Sequence, residues 1–305
     1  MKKFILRLLV FSILITGIIL FLLNRYAGYV DYFYGKVSSP AQSSLIIGDS
    51  RSFQGLQPTV FNQNLSNTFD LPMYNFSFTL AQVSYGESLL KSIKSKINPD
   101  TKNGLFILSV HPYILSQRDK DDFENGVYFE ESFPPGNMNY VNMNPNVEYF
   151  FKNYEYFHFK AVIRKNSIVH DDGWLEETNL TTDKATLNGW KKTQIELYGG
   201  FIKKWKKSDY RVQKLSETIK FLKNHGRVVL VRMPSSDDIV AIENSYWNDF
   251  NLQMKNVADE NKVQYLDFTS NMSSFPTYDG VHLGKSAGQK FTKSVCDSIL
   301  KYNNN

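Results

Sequence analysis

The stretch Ser44-Leu45-Ile46-Ile47-Gly48-Asp49-Ser50-Arg51 decides how this chain is read. Leu45-Ile46-Ile47 is a short apolar run closed by turn residues, the pattern of a strand buried on both faces. Gly48-Asp49-Ser50 then sets a serine hydroxyl just past the strand. In parallel sheets, sites form beyond the carboxyl ends of the strands. Ser50 is therefore a candidate nucleophile, although the same tripeptide is ordinary turn composition.

Working outward, apolar segments alternate with helical patterns. A helix or turn is expected after Ser50, and Pro58 opens a further short helix. A weaker strand is expected over 71–76. Leu89, Leu90, Ile93 and Ile97 give residues 84–96 a helical spacing that Asn98-Pro99 closes. A third strand over 105–110 ends at His111-Pro112. After a long interruption the rhythm returns, with a helix over 209–224, a fourth strand over 227–233, a helix over 242–260, a fifth strand over 263–268 and a final helix over 285–302. Five strands alternating with helices predict an α/β domain whose five-stranded parallel sheet is covered on both faces.

The interruption, about 117–208, is polar, aromatic and Asn-rich. So long a structureless loop is uncommon in a compact domain, so an insertion with its own helices is expected. The aromatics Tyr149-Phe150-Phe151 and Tyr154 to Phe159 read either as its core or as a sugar-binding groove.

Residues 1–25 form a separate unit. Lys2, Lys3 and Arg7 accompany a long apolar run that ends near Leu23. With Phe4-Ile5-Leu6 it reaches the ~20 residues that cross a bilayer as a helix. The basic residues place the N-terminus in the cytoplasm and export the rest, a single-pass membrane partnership. A cleaved signal peptide is the competing reading, but its apolar core is shorter and ends at small residues. Asn24-Arg25-Tyr26 is a poor cleavage context, so an uncleaved anchor is favoured. Residues 26–43 read as a tether, and 44–305 as the domain that carries the insertion.

With 305 residues, 15% aromatic and 21% charged, the chain has the material for a substantial core. Its single cysteine, Cys296, excludes an intrachain disulfide and reads as buried in the last helix. The net charge of +5 is misleading. Lys2, Lys3, Arg7 and Arg25 precede residue 26, leaving 31 of the 35 basic residues against all 30 acidic ones. A nearly neutral exported part argues against a nucleic-acid partner.

Asp279-Gly280-Val281-His282 lies in the loop after the fifth strand and completes the chemistry. A serine hydroxyl needs a base, and the base an orienting carboxylate. Ser50, His282 and Asp279 supply these at one end of the sheet, and this chemistry calls for no metal or cofactor. A helix starting after Ser50 also aims main-chain N–H groups at a developing oxyanion.

The two motifs resemble the nucleophile block and the C-terminal Asp-x-x-His block of the SGNH, or GDSL, hydrolase superfamily. The resemblance covers roughly 44–116 and 209–301. It implies a flavodoxin-like three-layer α/β/α sandwich, with Ser50 as nucleophile, His282 as base and Asp279 as its orienter. The chain departs from the family in two blocks. Where the family has an oxyanion glycine after the second strand, this chain reads Asn75-Phe76-Ser77-Phe78-Thr79. Where the family has an asparagine after the third, it reads Ser109-Val110-His111-Pro112. Asn75, or the N–H of Ser77 or Thr79, are the candidate replacements. The chain looks more like the membrane-anchored SGNH-like proteins of cell-surface polysaccharide and teichoic-acid acylation. That likeness implies an acyl-esterase or O-acyltransferase, a glycan or acylated carbohydrate as partner, and a multi-span protein that supplies the acyl donor. A catalytically inactive scaffold with the same shell is the rival.

Further residues carry paired readings. His111 either faces the pocket or is hydrogen-bonded in its loop. Arg232 either holds an anionic substrate group or forms a buried ion pair. Asp267 is a lower-ranked carboxylate for His282. His170-Asp171-Asp172 lacks further ligands at metal-site spacing and reads as a solvated loop. Lys203, Lys204, Lys206 and Lys207 around Trp205 read as a solvated helix face rather than a polyanion patch.

Overall fold

The computed structural model describes residues 1–153 and 166–303. Five parallel strands, β1 (Ser44–Ile47), β2 (Met73–Asn75), β3 (Gly104–Ser109), β4 (Gly226–Arg232) and β5 (Gln264–Asp267), form one sheet. Their spatial order is β2-β1-β3-β4-β5. Ile46 pairs with Asn75 and Ile107, and Ile107 pairs with Val229. The order reverses direction between β1 and β3, which opens a crevice at their carboxyl ends.

Period-two alternation divides the sheet between two cores. Leu45, Ile47, Phe106, Leu108, Val228 and Leu230 enter one, with side chains of helices Glu87–Lys96, Asp209–Lys223 and Phe250–Asn261. Ile46, Leu105, Ile107, Val229 and Val231 enter the other, with helices Pro58–Leu65 and Lys285–Asn303. The result is a flavodoxin-like three-layer α/β/α sandwich. Each fully buried aliphatic side chain contributes roughly 1.5–3 kcal/mol, so the sheet register is strongly specified. Cys296 is buried in the second core.

The expected helix over 242–260 is two helices, Asp237–Tyr246 and Phe250–Asn261. Trp247 breaks them because its ring turns into the core, edge-on to Phe250 at 5.4 Å.

The N-terminal helix runs Lys2–Val30, past the expected limit. Its Lys2–Tyr26 part contains an 18-residue window of mean hydropathy 2.7 and is long and apolar enough to cross a membrane. Residues 26–43 are not a slack tether. Helix Tyr34–Ser38 is buried, and Tyr34 and Val37 join the first core. Lys36 Nζ donates to the carbonyl oxygens of Asn75 (2.6 Å) and Gly173 (2.7 Å) and sits 3.9 Å over the Phe53 ring. Lys96 Nζ donates to the carbonyl oxygens of Lys36 (2.7 Å), Ser39 (2.6 Å) and Val141 (2.7 Å). Two buried lysine amines, whose pKa burial lowers, thus dock the segment by gathering main-chain acceptors, a signal that no hydrophobic period carries.

Segment 117–208 leaves and re-enters through an antiparallel pair, Ser116–Gln117 with Lys206–Lys207. It holds a hairpin, Ser167–Val169 with Leu175–Glu177, and the helices Val147–Lys152 and Lys184–Phe201. Lys206 and Lys207 therefore lie on a strand, not a helix face. Trp205 is buried, stacked on Phe201 at 4.0 Å, and this contact draws the chain inward after the helix. Tyr149 is buried edge-on to Tyr34 at 5.7 Å, whereas Phe151 is exposed. Tyr154 to Phe159 lie outside the described residues.

Candidate active site

Ser50 is the first residue of helix Ser50–Gly55, directly after the turn that leaves β1. Gly48 makes this turn possible, since a Cβ there would collide with Ser52 Oγ and Ser109 Cβ. Asp49 caps the helix by accepting from the Arg51 N–H at 3.1 Å.

The loop after β5 brings the base. His282 Nε2 lies 2.9 Å from Ser50 Oγ, and His282 Nδ1 lies 2.7 Å from Asp279 Oδ2. An ionised carboxylate only accepts, so Nδ1 carries the proton and the Nε2 lone pair faces the serine. The other Asp279 oxygen accepts from the N–H groups of Val281 (3.0 Å) and His282 (2.8 Å). Gly280, at φ +91°, supplies the left-handed step that folds the chain around this carboxylate. Burial alone would raise the Asp279 pKa, but His282 and the two N–H groups together hold it below the ordinary value.

Three contacts missing from the motif reading hold the loop. Tyr278 stacks on His282 with ring centroids 6.0 Å apart. Its hydroxyl donates to Gln54 Oε1 at 2.7 Å, one helical turn beyond Ser50. Gln194, from helix Lys184–Phe201, donates to Asp279 Oδ2 at 3.3 Å. The i, i+4 relation of Gln54 to Ser50 is visible in sequence. Gln194 carries no local signal, because the insertion reaches the site only in three dimensions.

The proposed oxyanion donors are spent elsewhere. Asn75 Nδ2 donates to the carbonyl oxygens of Ser52 (2.8 Å) and Leu56 (3.0 Å), and its Oδ1 accepts the Ser77 N–H at 3.1 Å. Asn75 and Ser77 thus brace the nucleophile helix from below, and Ser77 Oγ accepts from Ser52 at 2.9 Å. Thr79 borders the cleft, but its N–H (3.2 Å) and hydroxyl (2.7 Å) both donate to Gln82 Oε1. The Ser50 N–H remains: as the first helical residue it has no carbonyl four residues back inside the helix.

His111 does not face the cleft. It is buried, with Nε2 2.7 Å from Asp49 Oδ2. Burial and the Arg51 charge lower its pKa, so it is neutral at neutral pH. Arg232 is likewise in a buried ion pair, with Nη2 2.7 Å from Glu243 Oε2. Arg51 meets the other Glu243 oxygen at 2.7 Å. Asp49, Arg51, Glu243 and Arg232 balance in charge beneath the site, which lets four buried ions coexist. Asp267 accepts from Asn251 (2.6 Å) and Thr269 (2.7 Å) and serves β5 rather than His282. His170 pairs with Glu176 at 2.9 Å across its hairpin.

Ser50 and His282 open on a cleft of about 520 Å³ whose walls include Leu80, Phe129, Phe133, Leu197 and Trp205. A second cleft, about 480 Å³, lies beyond Gly280 and contains neither reacting residue. The first is the one suited to an ester held against the serine.

No family model matches the sequence, and no curated protein matches it. Among solved structures the chain is similar to a carbohydrate acetylesterase, Est24, from Sinorhizobium meliloti, with 10% identity and a TM-score of 0.38, covering 85% of this chain and 99% of that one. It is also similar to a putative platelet activating factor from Streptococcus pneumonia, with 10% identity and a TM-score of 0.42, covering 95% and 99%. A lipase/acylhydrolase from Enterococcus faecalis shares 11% identity at a TM-score of 0.39, covering 85% and 96%. These are distant likenesses, and the site rests on its own geometry.

Proposed function

We propose that this protein is a membrane-anchored serine acyl-esterase or O-acyltransferase whose domain works outside the cytoplasm on a cell-envelope glycan. One observation carries the reading: the Ser50 hydroxyl, the His282 imidazole and the Asp279 carboxylate form a continuous hydrogen-bonded line at an open cleft. Ser50 Oγ attacks the ester carbonyl and its proton passes to His282 Nε2. Asp279 stabilises the imidazolium. The leaving alcohol takes that proton, and an acyl-serine remains. Water resolves it in an esterase and a sugar hydroxyl in a transferase, with His282 now removing the proton of the incoming hydroxyl. The Ser50 N–H is one donor to the oxyanion. In the transferase case a multi-span membrane protein delivers the acyl donor. The Lys2–Tyr26 helix and its basic start support the anchored, exported arrangement.

The spent donors of Asn75, Ser77 and Thr79 favour a second reading, an inactive shell that binds the glycan. The deciding experiment treats the full chain with p-nitrophenyl acetate and a fluorophosphonate. Ester cleavage and labelling of Ser50, both lost in Ser50→Ala, are expected. A folded wild type that neither cleaves nor labels establishes the shell instead. A reporter fused after Tyr302 tests location, and activity in the cytoplasm overturns it.

A further inference from the structure

Among the described residues, four arginines of the domain are at least nine-tenths buried: Arg51, Arg118, Arg211 and Arg232. Three have carboxylate partners. Arg51 and Arg232 share Glu243, and Arg211 binds Glu130 and Asp121. Arg118 differs. Among the described residues no carboxylate lies within ion-pair distance of its guanidinium, and nearby Asp121 is used by the Arg118 main-chain N–H instead.

The Arg118 side chain is nevertheless firmly held. Its guanidinium carbon stands 3.4 Å from the Phe129 ring centre and 4.6 Å from that of Trp205. Nη2 donates to the Val83 carbonyl at 2.9 Å, and Nε is buried with no hydrogen-bond partner among the described residues, as it also is in Arg51, Arg211 and Arg232. A guanidinium carries five N–H donors, and a desolvated one left unpaired is costly. Burial and the like charge of Arg211 disfavour the charged form, and the more distant carboxylates of Glu130, Asp121 and Asp49 offset them only in part. Such a group gains from an anionic partner supplied from outside the chain. Arg118 borders the cleft of Ser50 and His282. Asp119 and Lys120, beside it at the mouth, are exposed and of opposite sign.

We propose that Arg118 is the receptor for an anionic group on the substrate, so that the cleft takes an ester whose acyl or alcohol part carries a carboxylate or a phosphate. Held against the Phe129 and Trp205 rings, the guanidinium is pre-oriented for a charge-assisted hydrogen bond to such a group, while the apolar walls hold the carbon skeleton. This rests on the reading of Ser50 as nucleophile.

The test compares the full chain in detergent on p-nitrophenyl butyrate and on p-nitrophenyl hemisuccinate, an ester of similar length that ends in a carboxylate. Wild type should favour the hemisuccinate in kcat/KM by about tenfold or more, the range of a charge-assisted hydrogen bond. Arg118→Gln should bring the ratio close to one, and Arg118→Lys, which keeps charge but not the fork, should fall between. Succinate and inorganic phosphate, tried as competitive inhibitors, distinguish the two anion sources. A wild type without preference overturns the proposal, and needs no variant. So does a preference that survives Arg118→Gln in a protein with unchanged thermal unfolding. If neither ester is cleaved, the nucleophile reading fails separately. Calorimetric titration of Ser50→Ala with succinate and phosphate then decides the anion site: binding that is lost on adding Arg118→Gln supports it, and no binding or unaltered binding overturns it.

Discussion

His282 Nε2 stands 2.9 Å from Ser50 Oγ, although 232 positions separate the two residues. The contact exists because β1 and β5 both end at the same edge of the sheet, and because Tyr278 pins the later loop to Gln54 on the nucleophile helix.

Ser50→Ala and His282→Ala should each lower kcat/KM for p-nitrophenyl acetate on the order of 10³-fold or more, and the double variant should be no worse than either, since such residues act as a unit. Asp279→Asn should be less damaging, because the Val281 and His282 N–H groups still hold the loop. Steady-state kinetics beside thermal unfolding checks this. Losses in the two single variants that multiply in the double would contradict a shared proton path.

Acid should unfold the protein partly through Asp49. Burial works to raise its pKa, but His111 and Arg51 hold it at about 2, below the usual 3.8. The folded state thus binds this proton more weakly than the unfolded chain. The stabilisation is fully present above pH 4 and is lost as pH falls towards 2, by on the order of 2 kcal/mol. His111, whose pKa is lowered, begins a loss in the same direction once pH falls below its ordinary 6.5. Urea unfolding from pH 7 to 2 should show both declines, and Asp49→Asn should flatten the more acidic one.

Lys96→Met should destabilise the domain by about 1–3 kcal/mol for each buried carbonyl left unpaired. Those carbonyls belong to Lys36, Ser39 and Val141, so the cost should appear first as loosening of 31–39. Limited proteolysis should cut that segment earlier in the variant than in wild type. Equal cutting rates would refute the docking role.

Glu243→Gln removes the carboxylate shared by Arg51 and Arg232. Breaking a buried ion pair by one partner costs roughly 3–5 kcal/mol. Because Arg51 follows Ser50, esterase activity should fall together with stability. Denaturant midpoints and kcat, measured together, check the coupling, and a stable variant with intact activity would rule it out.

The sheet was legible from local pattern alone. Leu45-Ile46-Ile47 and its counterparts are apolar because parallel strands are buried on both faces, and each is long enough to register that burial in composition. Gly48-Asp49-Ser50 and Asp279-Gly280-Val281-His282 were legible for a related reason. Each is a compact turn whose residue types follow from its backbone, with Gly48 pressed on Ser109 and Gly280 at positive φ. Tertiary structure alone decided which polar groups are spent and which remain available. Asn75, Ser77 and His111 sit where an oxyanion donor would stand in the chain, yet the Asn75 amide is taken by the Ser52 and Leu56 carbonyls, the Ser77 N–H by Asn75 and the His111 ring by Asp49. Tertiary structure alone also brought Gln194 to Asp279 and left Arg118 with no carboxylate within ion-pair distance among the described residues. The physical reason is range. Hydrophobic period and turn chemistry are set by neighbours in sequence, whereas a hydrogen-bond donor takes whatever acceptor folding places within 3 Å or so, from any distance along the chain.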